Sequence, residues 1–298
     1  MHSRTFALVA VFLVQVLYGL NFTYAKFVMN EGYVKPFGLV LLRIIGAVIL
    51  FWILDCFMPK EKIDRKDYKT FFLAAVFGIA TNMLLFLGGL ELTTPIHASV
   101  IMITTPIIIL IFSSLFLQER ITGLKIVGIL LGFAGAIVLS VYGKSTRTGD
   151  NVLLGNIMVF ANAVSYSIYI IIIKKLTEKY HPFTFIKWLF LIGFFMVFPF
   201  GYQDVQEIKW ETFTPSVYFS IGFVVIGATF FTYMFNPLAL RKLKASTVGT
   251  FVYLQPVIAG TFAIAMGVDT INAVKIVAML LIFSGVYLVS KTPKLKDY

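Results

Sequence analysis

The sequence predicts an all-α membrane protein, with ten transmembrane helices arranged as two inverted five-helix repeats around a central cavity. Three observations carry this expectation. Hydrophobic residues fill 59% of the 298 positions and charged ones only 13%, where a soluble domain holds roughly 45–50% and about 25%. The excess is spread along the chain, with a mean hydropathy of +0.91, as successive runs of about 20 residues, the length that crosses a hydrocarbon core of about 30 Å. Finally, residues 106–140 align without a gap on residues 256–290.

The first run, 5–29, follows Arg4 and superficially resembles a signal peptide. It lacks a small-residue cleavage site and carries Gln15 and Asn21, so it is expected to stay as a helix. The second, 37–57, starts after Pro36 and contains Arg43; the third, 69–90, follows a basic loop that starts at Lys60. The fourth, 93–117, contains His97 and Pro106, and the fifth, 122–142, carries Gly128, Gly132 and Gly135 on a small-residue face suited to close packing, between repeats or between protomers. A linker over 143–151, holding Gly143 and Gly149, separates this first repeat, 1–142, from the second, 152–291. The second repeat contributes runs 152–173, 183–201, 215–237, 245–266 and 273–291, with Pro182 and Pro215 before two of them and Pro256 inside the ninth. A cytoplasmic tail, 292–298, completes the chain.

Loop charge sets the orientation, because cytoplasmic loops retain Lys and Arg. With the N-terminus inside, seventeen basic residues fall in inner segments, against Lys35, Lys144, Arg147, Lys209 and Lys275 in outer ones. Both termini are therefore expected in the cytoplasm, in a multi-pass protein of the cell membrane, plasma or inner.

The repeat is specific. Twelve of thirty-five positions are identical at an offset of 150, among them Pro106 with Pro256, Lys125 with Lys275 and Gly135 with Gly285. Glu119 aligns with Asp269, and Thr122 with Asn272, both suited to cap the following helix. Weaker echoes pair Tyr18 with Tyr166, and Lys35-Pro36-Phe37 with His181-Pro182-Phe183. An odd number of spans per unit inverts the second copy, the plan of many secondary transporters, which places a site near the midplane.

Polar residues inside a bilayer are costly and mark function. Asn162, Ser165, Tyr166 and Tyr169 share one face of the sixth run, and Thr229, Thr232, Tyr233 and Asn236 one face of the eighth. Gln15, Tyr18 and Asn21 form a looser stripe on the first. These stripes suit a solute cavity or hydrogen bonds between helices. Arg43 either orients a carboxylate or phosphate or bridges carbonyls at a helix end. Lys26 is expected to snorkel to the outer interface, and His97 to be a packed imidazole. Pro106 and Pro256 are expected to break their helices, freeing the carbonyls of Met102 and Val252, with Thr104, Thr105, Tyr253 and Gln255 flanking the breaks as lining residues.

Several classes are excluded. A net charge of +11 dispersed in short loops lacks the basic face of a nucleic-acid reader. Cys56 is the only cysteine, so no intrachain disulfide forms. Motifs for ATP-driven transport, zinc proteolysis and serine hydrolysis are missing, so no enzyme, metal or cofactor is expected. Asp55 and Glu91 lie near run ends, which disfavours a buried carboxylate for cations, and the positive intramembrane charges lean toward zwitterionic or anionic solutes.

The Tyr18-Gly19-Leu20-Asn21-Phe22 stretch, Arg43, the Pro106-to-Glu119 segment with Glu119-Arg120-Ile121-Thr122, and the Gly128/Gly132/Gly135 helix resemble the EamA-type branch of the drug/metabolite transporter superfamily. Tyr18 stands where that family often has Trp, and Asp269-Thr270 replaces Glu-Arg in the second copy. The resemblance spans nearly the full length. It implies export of small metabolites, commonly amino acids, by alternating access through a central cavity, with the lipid bilayer and a small-molecule solute as partners. The alternatives are a sugar-nucleotide exchanger of the same superfamily and a lipid flippase or intramembrane lipid-handling enzyme. Substrate, coupling ion and oligomeric state stay open.

Overall fold

A computed structural model describes residues 4–93, 98, 101–141, 151–265 and 272–290. His97, Asp269, most of the linker and the tail lie outside the described residues. The described chain is helical throughout, with helix α1 over Arg4–Asn30, α2 over Pro36–Asp55 and α3 over Arg65–Leu92. Next come α4 over Thr105–Leu117, α5 over Gly123–Val141, α6 over Val152–Lys179 and α7 over Pro182–Gln206. Helix α8 covers Pro215–Leu240, α9 covers 245–265 and α10 covers Ala273–Ser290. Among the described residues seven of these, α1, α2, α3, α6, α7, α8 and α10, are long and apolar enough to cross a membrane by length and composition, while α4 and α5 are shorter apolar helices. Exposed Leu, Ile and Phe side chains along nearly every helix, such as Leu115, Leu153, Phe195 and Leu280, mark a lipid-facing exterior.

Local chemistry explains the ends. Pro36, Pro182 and Pro215 each occupy the first turn of their helix, where a missing N–H costs nothing. Asn272 accepts the Lys275 N–H at 2.9 Å and Thr122 that of Lys125 at 3.4 Å, as the aligned pair predicts. Gln118, in the left-handed region at φ 53°, ends α4.

Two features depart from sequence expectation. Pro106 sits in the first turn of α4, after a turn at 103–104, rather than in a helix interior. Pro256 lies three residues past a 3-10 turn, Phe251–Tyr253, that divides α9. Each proline thus begins a half-helix, a position that needs no broken bond. In addition, α3 and α8 contain π-helical segments, Val76–Ala80 and Phe223–Phe231, which composition does not announce.

Packing is antiparallel and intimate where α5 meets α10. A Cβ added at Gly285 would stand 2.4 Å from the Gly128 carbonyl oxygen, and one at Gly135 would stand 2.6 Å from that of Ala278. The small-residue face of α5 is therefore spent inside the chain, on α10. Helix α2 runs antiparallel to α7, with Phe51 on Phe190 and Asp55 bonded to Lys187 at 2.6 Å. Helix α3 lies along α6, where Gly78 lets the Tyr169 ring approach so closely that a Cβ would be 2.1 Å from it.

Candidate functional site

The cavity grows from residues at the middle of these helices. Tyr18 and Asn21 enter from α1, Arg43 from α2, Asn82, Met83 and Phe86 from α3, and Asn162 and Tyr166 from α6. Tyr233 of α8, Val252 and Gln255 of α9, and Met102 and Thr105 at the start of α4 complete the wall. Its water-accessible volume is about 70 Å³, room for a handful of water-sized groups. Three pairs on this wall are related by the sequence repeat: Met102 with Val252, Thr105 with Gln255, and Tyr18 with Tyr166.

Arg43 is the charge of the site. Only 4% of it is exposed, and among the described residues no carboxylate lies within 4.0 Å of its guanidinium. Its Nε donates to Thr229 Oγ1 at 2.8 Å and its Nη2 to the Ala228 carbonyl at 3.4 Å. Arg43 thus bridges to a carbonyl of α8 and also lines the cavity. A buried cation held only by neutral acceptors has no countercharge to offset the hydration it lost in leaving water.

Amides and hydroxyls surround it. Asn162 Nδ2 donates to the Asn82 carbonyl at 2.7 Å, and Tyr233 OH to the Gly78 carbonyl at 2.6 Å. Asn236 Nδ2 donates to Tyr166 OH at 3.1 Å, and Gln255 Nε2 to Gln15 Oε1 at 2.8 Å. On the cavity wall Asn21 Oδ1, Asn162 Oδ1 and Thr105 Oγ1 are buried without a hydrogen-bond partner among the described residues. Buried acceptors left in this state cost free energy, and a ligand with N–H donors relieves it.

Of the residues singled out in sequence, Tyr18, Asn21, Arg43, Thr105, Asn162, Tyr166, Tyr233 and Gln255 line the cavity. The others stand behind it. Gln15 holds Gln255, Thr229 holds Arg43, and Asn236 holds Tyr166. Ser165 and Thr232 turn their hydroxyls to backbone carbonyls, those of Phe77 and Ala228. Tyr169 packs between Tyr166 and Tyr233, Tyr253 is fully buried against Gly132, and the Thr104 hydroxyl bonds back to the Ile101 carbonyl at 2.7 Å. Sequence reasoning missed Asn82, Met83 and Phe86. The signal for them was Thr81-Asn82, a polar pair in the middle of an apolar run.

Polar ties link the helices at both ends of the bundle. At one end Lys35 pairs with Glu207 at 2.5 Å, and Asp204 accepts the Gly38 N–H at 3.1 Å. At the other, Asp55 bonds both Lys60 and Lys187 at 2.6 Å. There too the buried Glu119 accepts from the Ala245 N–H at 2.7 Å, Ser246 Oγ at 2.5 Å and Lys125 Nζ at 3.4 Å.

Comparison with known proteins gives one family. The chain matches the EamA-like transporter family twice, over residues 5–141 and again over 153–291. An uncharacterized transporter of Archaeoglobus fulgidus is 28% identical over 93% of this chain and 96% of its own length. The uncharacterized transporter YyaM of Bacillus subtilis is 21% identical, covering 94% and 92%. A crystal structure of a protein superposes with a TM-score of 0.76 at 17% identity, covering 96% of each chain, which shows a shared fold.

Proposed function

The chain belongs to the EamA-like transporter family, and from that premise we propose that it is a secondary transporter that exports small zwitterionic metabolites such as amino acids by alternating access. The observation that carries this reading is Arg43, a buried guanidinium at the cavity wall with no carboxylate partner among the described residues. A solute carboxylate supplies the missing charge through a bidentate, charge-assisted contact. The unpartnered oxygens of Asn21, Asn162 and Thr105 then accept from its ammonium group. The small cavity suits a solute of a few heavy atoms better than a nucleotide sugar.

The proposed architecture has ten spans, in repeats 1–142 and 152–291 of opposite orientation, with both termini on the cytoplasmic face of the cell membrane. Reciprocal contacts support the inversion: Gly135 meets Ala278 while Gly285 meets Gly128, each pair the other's image at an offset of 150. Alternating access then consists of breaking the ties at one end of the bundle while keeping those at the other.

The test is counterflow of radiolabelled amino acids in proteoliposomes. Saturable flux that disappears in Arg43→Gln supports the reading. Flux of nucleotide sugars in place of amino acids, or no flux of either, sinks it.

A further inference from the structure

The π-helical segments of α3 and α8 occupy corresponding places in the two repeats, with Gly78 and Gly227 at an offset of 149. A π turn widens the backbone loop by one residue, so that Thr81 N–H bonds the Val76 carbonyl, and it releases carbonyls from regular pairing. Side chains take them up, from neighbouring helices on α3 and from both α2 and α8 itself on α8. On α3 the Phe77 carbonyl accepts Ser165 Oγ at 2.7 Å, and the Gly78 carbonyl accepts Tyr233 OH at 2.6 Å. On α8 the Ala228 carbonyl accepts Arg43 Nη2 at 3.4 Å and Thr232 Oγ1 at 2.9 Å. Arg43 Nε reaches Thr229 Oγ1, a hydroxyl that itself donates to the Val224 carbonyl at 2.8 Å.

Two of these donors, Tyr233 and Arg43, also line the cavity. Each repeat's wide turn is thus fastened by a side chain that a solute can reach. We propose that Tyr233 and Arg43 are positioning residues that hold the π turns of α3 and α8, and that a solute carboxylate recruiting Arg43 loosens the turn in α8. This rests on reading the cavity as a solute site. The driving force follows from two magnitudes. A carboxylate is a stronger acceptor for guanidinium than a neutral carbonyl at 3.4 Å. The Ala228 carbonyl keeps Thr232 Oγ1, but Thr229 Oγ1 loses the Arg43 Nε that held it at 2.8 Å, which takes from the turn its shorter tie to α2 and favours a changed bend. The turn in α8 carries Tyr233 just behind it, so a changed bend there moves that part of the cavity wall. Recognition and helix bending then draw on the same hydrogen bonds.

Hydrogen–deuterium exchange on the purified full-length protein in detergent tests this without measuring transport. Tyr233→Phe keeps the ring contacts with Tyr169 and Phe190, and Ser165→Ala leaves the cavity wall untouched. Both are expected to raise exchange over 76–86 by about fivefold, the factor one net hydrogen bond is worth. Arg43→Gln is expected to do the same over 223–236. Acetate, compared with chloride at equal ionic strength, is expected to speed exchange over 223–236 in the natural sequence and not in Arg43→Gln. If Tyr233→Phe does not fold, Ser165→Ala decides the α3 arm. Unchanged exchange at both turns, equal acceleration over 123–138, or no response to acetate overturns the proposal. Absence of amino-acid flux in proteoliposomes would instead remove the transport reading, so the two failures are separable.

Discussion

At the scale of single residues, Arg43 carries the most weight. Neutralising it as Arg43→Gln is expected to weaken solute affinity by about one to two orders of magnitude, the worth of a hydrogen-bonded charge, with isothermal titration as the measure. Arg43→Lys should recover only part, because an ammonium cannot make the forked contact. At the far end of the bundle, Glu119 and Lys125 are each only 8% exposed. Removing one partner by Lys125→Met takes a cation from the buried Glu119, and a loss of about 3 kcal/mol is expected, read as a lowered melting temperature of the solubilised protein. Sequence made Arg43 legible, since a guanidinium inside an apolar run has few explanations. It could not show Arg43 bridging and lining the cavity at once, because Ala228 and Thr229 lie 185 and 186 positions away.

At the scale of helices, periodicity placed the apolar runs well and their internal breaks poorly. Pro36, Pro182 and Pro215 announced their helix starts, and the aligned Thr122 and Asn272 announced two caps. The π turns at 76–80 and 223–231 left no such mark, since widening a turn changes bonding and not composition. That omission hid Asn82, Met83 and Phe86. It also put Ser165, Tyr169 and Thr232 on the expected wall, whereas the turns draw Ser165 and Thr232 to backbone carbonyls. Substituting Gly285 by Val places a side chain against the Gly128 carbonyl, and about 1–3 kcal/mol of destabilisation is expected from overpacking, measured by thermal unfolding. The exposed Lys35–Glu207 pair adds a pH signature. Lys35 holds the Glu207 carboxyl below the usual carboxylate range, and Glu207 in turn raises Lys35. A lowered acid contributes only while ionised, so the difference in melting temperature between the natural sequence and Glu207→Gln should be present at neutral pH. It should fade below about pH 4.

At the scale of the whole molecule, the repeat carried more than the hydropathy did. An offset of 150 placed Met102 opposite Val252 and Thr105 opposite Gln255, and all four line one cavity. Orientation is tested by labelling. With Cys56 replaced by Ser, a membrane-impermeant maleimide applied to intact cells is expected to modify Lys35→Cys and to leave Lys62→Cys unmodified. The opposite pattern would reverse the proposed topology.

The α5–α10 seam has one more consequence. Its two faces are related by the repeat, with Gly135 answering Gly285 and Gly128 answering Ala278, so on the proposed plan exchanging the shapes of the two halves returns a similar contact. Such a seam contributes similar free energy to the inward-facing and outward-facing forms, and acts as a pivot that favours neither strongly. Any resting preference must therefore arise where the copies differ, as at Arg43, whose counterpart at the 146-residue offset is Leu189.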